Sequence, residues 1–301
     1  MWDYALRMRC SPTELEKLKC IILHPPSLYR NTDWIEEQQF PQIHNIVLGR
    51  CNMSLTDELH ACPDAVFFKD AMGRTALDWA TARGQLSDIE LLIERGSPLN
   101  TMDDSGRTTV LHAVDSHNDD ALRLVLNAGA EPNPEVPRGL YRSSPLTAAS
   151  FGGRAEMVKL LLASGAKVDA CNPEGRTALH TVASMHNDGS HKCAVYLLSA
   201  GANMYHPSRN GHSPLTTAIA HNNHDVLKLF VGRCDTSCLK GSQLLPFIAQ
   251  SADVETMSIL AALGLLKQTL DENDFVANRE ALDLREDYNE ALGNAFENLW
   301  H

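Results

Sequence analysis

Apolar residues along this chain come in pairs of short runs, and the two runs of a pair differ in character. In the first, small residues recur at helical spacing, as Ala76, Leu77 and Ala80 do, and again Leu146, Ala148 and Ala149. In the second, larger aliphatics dominate: Ile89, Leu91 and Leu92, or Met157, Val158, Leu160, Leu161 and Leu162. Both spacings predict amphipathic helices. The second run closes on a glycine (Gly96, Gly129, Gly165, Gly201) or, in the last copy, at Cys234. Glycine there can adopt the left-handed conformation that ends a helix. Each first run begins with Thr or Ser, whose hydroxyl accepts from the unpaired amides of the first turn. Pro145 and Pro214 sit where a missing N–H costs nothing. One unit therefore reads helix, turn, helix, loop.

The unit recurs. GRTALDWATARGQ at Gly73 is matched by GRTTVLHAVDSHN at Gly106, SSPLTAASFGGR at Ser143, GRTALHTVASMHN at Gly175 and GHSPLTTAIAHNN at Gly211, at intervals of roughly 33 residues. The shared pattern, G-x-T-x-L-H/D-x-A followed by V/I-x-L-L-x-x-G-A, resembles the ankyrin repeat, whose core is T-P-L-H-x-A. That resemblance implies an all-α ankyrin-repeat solenoid of about seven helix-turn-helix units, with degenerate units at its ends and a C-terminal capping helix. Three departures stand out. The second copy reads as carrying one residue inserted after Gly106 and one removed before Leu122, with His112 in the histidine position. The fourth has about three extra residues within MHNDGSHKC, and the third has Arg142 at the turn glycine, after the proline-bearing NPEVPRGLYR.

The flanks FPQIHNIVLGR…SLTDELHACPDAV and GSQLLPFIAQSADVETMSILAALG keep the two-helix outline, as atypical end repeats do. The array therefore runs over residues 40–264. Residues 1–39 read as one short helix and an irregular segment. Residues 265–301 form an acidic amphipathic helix, with Leu284, Tyr288, Leu292, Phe296 and Leu299 in one stripe.

A formal net charge of −12, from 38 acidic and 26 basic residues, weighs against nucleic acid as a partner. The N-terminal residues lack the apolar run of a secretory signal, and SILAALGLL is too short to span a bilayer. These features set the expectation of a monomeric protein of the cytoplasm or nucleus, with no membrane contact. The eight cysteines show no C-x-x-C pair, so no disulfides are expected. No P-loop, G-x-S-x-G, H-E-x-x-H or kinase motif occurs, and no catalytic residue, metal or cofactor is assigned. His186, His191, Cys193, His221, His224, Cys234 and Cys238 are of zinc-ligating type; their spacing matches no structural zinc pattern, so a zinc or enzymatic site there stands as the alternative to a non-catalytic interaction scaffold. The tail lacks the Leu/Cys and proline-rich pattern of a ubiquitin-ligase box, which leaves a substrate adaptor as the weaker alternative.

The resemblance also implies where a protein partner binds, namely a concave surface made by loop tips and the inner edge of each first helix. Carried over copy by copy, this gives Met72, Arg74 and Arg83; Asp104, Arg107 and His117; Tyr141, Arg142, Ser143 and Phe151; Glu174, Arg176 and Met185; and Arg209, His212 and His221. Tyr141, Arg142 and Phe151 form its centre, being the aromatic and arginine types enriched at binding hot spots. The row Arg74, Arg107 and Arg176 is either a ladder for an acidic partner or a set of surface pairs with Asp104 and Glu174. Trp79 is assigned to the core, and His180, at the family's histidine position, to bonding between neighbouring loops.

Overall fold

The computed structural model describes residues 40–135, 143–233, 241–262, 272–285 and 287–299. Residues 1–39, with the helix expected there, lie outside the described residues, as do Tyr141 and Arg142. The described residues form helices in pairs, divided between two compact units that meet between Tyr141 and Arg142 in sequence.

The first unit holds three pairs: α1 (Gln42–Val47) with α2 (Leu55–Ala61), α3 (Ala76–Ala82) with α4 (Leu86–Glu94), and α5 (Thr109–Asp115) with α6 (Asp119–Asn127). A 3-10 turn, Pro63–Phe67, follows α2. The second unit holds five: α7 (Pro145–Phe151) with α8 (Ala155–Ala163), α9 (Ala178–Ala183) with α10 (Ser190–Ser199), α11 (Pro214–Ala220) with α12 (His224–Val231), α13 (Gly241–Ser251) with α14 (Val254–Ala262), and α15 (Glu272–Asp283) with α16 (Glu290–Glu297). Within each unit the first helices of successive pairs pack on one another, and so do the second helices from α4 to α6 and from α8 to α16. The small residues of the first helices allow that approach. Ala76, Ala80, Ala113, Ala149, Ala178 and Ala183 are all buried, and Ile89, Leu92, Leu122, Leu161 and Leu197 fill the layer behind. Among the described residues no helix is long and apolar enough to cross a membrane.

The cap residues do what their chemistry predicts. Thr75 Oγ1 accepts from the Asp78 amide at 3.2 Å while the Asp78 carboxylate accepts from the Thr75 amide at 2.9 Å. Gly73, Gly106, Gly175 and Gly211 all have φ between 75° and 78°, the left-handed turn before each cap.

Two expectations change. The second copy has no insertion: Met102 bridges Thr108 as Lys69 bridges Thr75, and Thr108 is the cap of α5 as Thr75 is of α3. Leu111, not His112, therefore occupies the family's histidine position. His112 falls where Trp79 stands and faces the equivalent acid. The Trp79 indole N–H donates to Asp70 Oδ2 at 2.9 Å, and His112 Nε2 lies 3.3 Å from the equivalent Asp103. The C-terminal segment, in turn, is two helices and not one, and the stripe is broken at its start. Leu292, Phe296 and Leu299 are buried in or beside α16, but Leu284 lies between α15 and α16 and is 87% exposed. Between the two helices the Tyr288 amide donates to Arg285 O at 3.2 Å, and α15 and α16 pack on α13 and α14 as another pair that covers the end of the second unit.

Between the two helices of a pair the chain turns through one left-handed residue: Gly84, His117, Gly153 and Asn222. Gly84 has φ 65°, and a Cβ there would lie 2.9 Å from Asn118 Nδ2. Gly84→Ala should therefore cost about 1–2 kcal/mol in urea unfolding. Asn222→Gly should also destabilise, although it relieves the backbone, because Asn222 Oδ1 accepts from the Asp253 amide and Thr256 hydroxyl and its amide donates to Ser251 O.

His180 supplies a pH dependence. Its Nδ1 accepts from the Thr177 amide at 3.0 Å, so Nε2 carries the proton and donates to His212 O at 3.0 Å. Burial, ahead of the bond to His212, holds this imidazole below its ordinary 6.5. Its contribution to stability is present in full above pH 6.5 and is lost as pH falls towards the lowered folded value. The urea midpoint should drop between pH 7.5 and pH 5.5, and drop less in His180→Gln, which keeps a capping side chain that does not titrate.

Candidate interaction surface

The loop tips and first-helix ends hold the residues expected to meet a partner, and each unit presents its own set. In the first unit, Asp70 organises the loop before α3. Its Oδ1 accepts from the Met72 and Arg74 amides at 2.9 Å, and Oδ2 from the Arg74 side chain at 3.0 Å. Asp103 repeats this for Ser105 and Arg107. The Asp104 amide donates to Met72 O at 2.9 Å, which ties one tip to the next. Met72 is thereby held at a tip with 39% of its surface exposed, and Asp104 is exposed beside it.

The arginines of this unit are not a free ladder. Arg74 is ion-paired with buried Asp70 at 3.0 Å and lies over the Trp79 ring, 4.1 Å from its centroid. Arg107 pairs with Asp115, and burial depresses its basicity. In place of the pair expected with Asp104, these arginines pair with Asp70 and Asp115. Trp79 is 5% exposed, a core residue as expected. Arg83 ends α3 half-buried, and His117 is the exposed left-handed residue between α5 and α6, so backbone geometry as well as surface chemistry bears on its position.

In the second unit, Phe151 is the last residue of α7 and is 40% exposed. The carbonyl of Phe151 accepts from Asn187 Nδ2 at 3.4 Å, which anchors the helix end that carries it. Ser143 is half-buried before the Ser144 cap. Asn172 replaces aspartate in the loop before α9, its Oδ1 accepting from the Glu174 and Arg176 amides at 3.0 and 2.9 Å. The Arg209 amide donates to Glu174 O at 2.9 Å, again linking tips. Glu174 and Arg209 are exposed. Half-buried Met185 ends α9, and its carbonyl accepts from Asn223 Nδ2 at 2.7 Å. The His212 ring packs edge-on against Phe247 at 4.9 Å, and exposed His221 ends α11.

Among the described residues the zinc-type side chains do not converge. His224 bonds Asp253 at 3.0 Å and approaches Glu255 at 3.4 Å, and Cys193 is buried with its thiol pushed up to about 11 by desolvation. Cys234 and Cys238 lie outside the described residues, and among the described residues no three His, Cys, Asp or Glu side chains are grouped to hold a metal. The sequence reading passed over Phe67 and Phe68, which are 56% and 43% exposed after α2. The 3-10 turn directs Ala65 and Val66 inward and leaves the two rings outside. Pro63 marks that turn in the sequence, but which residues of AVFF face out does not follow from so short a run.

A model of ankyrin repeats in three copies matches residues 43–136 and 146–240. Human ankyrin repeat and SOCS box protein 16 is 34% identical over 154 residues, 50% of this chain and 34% of that protein. The mouse B-cell lymphoma 3 protein homolog is 32% identical over 130 residues, 43% of this chain and 28% of its own length. The intracellular phospholipase A2 of Caenorhabditis elegans is 25% identical over 190 residues, 62% of this chain and 14% of the enzyme. The chain thus spans about a third or less of each of these relatives. With the family pattern covering most of the chain and its helix pairs, caps and turn glycines in place, this protein belongs to the ankyrin-repeat family.

Proposed function

We propose that this protein is a non-catalytic interaction scaffold that holds a protein partner against the loop tips and first-helix ends of its repeats. Ankyrin repeats are generally protein-interaction domains, and the finer assignment rests on one observation: large apolar side chains stay exposed on an otherwise fixed frame. Met72 and Phe151 are 39% and 40% exposed, each on backbone tied to the next repeat by a hydrogen bond. A frame ordered before the partner arrives loses little conformational entropy on binding, so apolar contacts translate into affinity. In this reading Arg83, Asp104 and His117 serve with Met72 in the first unit, and Glu174 and Met185 serve with Phe151 in the second. The partner is a protein rather than nucleic acid, because a chain of net charge −12 repels a phosphate backbone. The scaffold acts as a monomer in the cytoplasm or nucleus.

Pull-down from cell extract with mass spectrometry, using the whole chain as bait, tests the reading. Partners captured by the parent should be lost with Met72→Ala and Phe151→Ala combined, each change weakening a purified complex about tenfold as hot-spot truncations do. Thermal unfolding of the double variant should match the parent. Equal capture by parent and variant would remove these residues from the surface.

A further inference from the structure

The repeats neutralise their loop arginine in the first unit and fail to do so in the second. Arg74 has Asp70, and Arg107 has both Asp103 in its loop and Asp115 at the end of the following helix. In the corresponding places, Arg176 has Asn172 and Ser184, neither of them charged. The guanidinium still reaches the end of α9, where Nη2 donates to Ser184 Oγ at 3.5 Å, as Arg107 Nη2 reaches Asp115. The geometry is retained while both carboxylates are gone. Among the described residues, none of Arg176, Arg209, His212 and His221 has a carboxylate within ion-pair distance.

The groups around Arg176 share its sign. His221 is held below its ordinary value first by burial and then by Arg176, His186 and His212. His180 feels Arg176, His206 and His212 in the same direction. Helices α7, α9, α11 and α13, which make the first-helix layer here, carry no Asp, Glu, Lys or Arg. Nearby carboxylates are Glu174 at a loop tip and Asp188 between α9 and α10, both exposed. Behind this layer, His224 and Lys228 of α12 are paired with Asp253 and Glu255 of the adjoining pair, Asp225 is exposed, and α10 contributes exposed His191 and Lys192. In a chain of net charge −12, this patch is a local reversal of sign without a counter-charge paired to it among the described residues.

We propose that the surface between the ends of α9 and α11 recognises a carboxylate-rich peptide segment of a partner protein, which supplies to Arg176 the anion that Asp70 and Asp115 supply to Arg74 and Arg107. Arg176 is the anchor, since a planar guanidinium already held along the helix end can take a carboxylate in two parallel hydrogen bonds. His212, backed by Phe247, and His221 flank it as further donors, and Arg209 stands at the adjacent tip. A peptide is favoured over a nucleic acid because the patch has two arginines and no run of stacking rings, whereas the whole chain repels polyanions. This rests on the scaffold reading and names the partner's chemistry.

The test uses the full chain with a fluorescein-labelled peptide of ten glutamates, a decalysine peptide and a ten-nucleotide single-stranded DNA, by fluorescence anisotropy at low salt. The glutamate peptide should bind and should weaken with added salt. Arg176→Gln should reduce its affinity at least fivefold. Ser184→Asp, which restores an internal partner without removing the arginine, should reduce it as much, while Lys167→Gln, remote from the patch, should not. Absence of binding, binding indifferent to both Arg176→Gln and Ser184→Asp, or tighter binding of the DNA would overturn the proposal. Partner capture that still depends on Phe151 would, in that case, leave the scaffold reading standing.

Discussion

The third residue of α3 and that of α9 each serve two repeats at once, and the stacking of those repeats depends on that double duty. A helix of seven residues cannot satisfy its own leading amides, and the loop that follows must also be pinned to its neighbour. His180 does both, taking the Thr177 amide on one ring nitrogen and giving the other to His212 O in the next loop. His44 gives the same bond to Arg74 O at 2.9 Å in the first unit. Asp78 solves the problem with a carboxylate: it accepts from the Thr75 amide and from the Thr109 hydroxyl of the next repeat at 2.6 Å. Where Leu111 holds the position neither duty is done, and Thr108 Oγ1 is left buried with no partner. The neighbouring Thr109 to Asp78 bond keeps that junction tied from the other side.

Changes at one place in the repeat are answered at another. Asp70 is matched by an indole N–H from Trp79 and a guanidinium from Arg74, and Asp103 by the ring of His112. When the loop acid becomes Asn172, its amide still orders the turn by accepting from two backbone N–H groups, because that task needs an oxygen and not a charge. What is lost is only the neutralisation of the arginine. Turn geometry and surface charge are therefore separable in this fold, and the second can vary while the first is retained.

This separation explains what the sequence made legible. Turn glycines, capping hydroxyls and the two kinds of apolar run are fixed by backbone requirements, so their letters recur and the helix pairs could be read with their order. In the second copy the left-handed turn at Gly106 and the cap at Thr108 set the register, so a histidine one place further on does not mark an insertion. The tail misled for a similar reason: a stripe at helical spacing says which residues share a face but not whether RED interrupts the helix. Surface residues were legible as positions and not as states. That Arg74 would pair with Asp70, and not with Asp104, depends on whether a loop folds back on its own acid or reaches for the next tip.

The departures carry different physical weight once the frame is known. Asp104 and Glu174 are exposed on tips where charges are screened and worth little, so their identity constrains the fold weakly. Arg176 lies half-buried along a helix end, where solvent shields it less and an unmatched charge costs more. A repeat array has an inexpensive way to remove that cost, since acids at two places have removed it in the first unit. Retaining the arginine while omitting both acids concentrates unbalanced potential at one point of a rigid frame. That is a state in which an external carboxylate is worth more to the second unit than an internal one would leave room for.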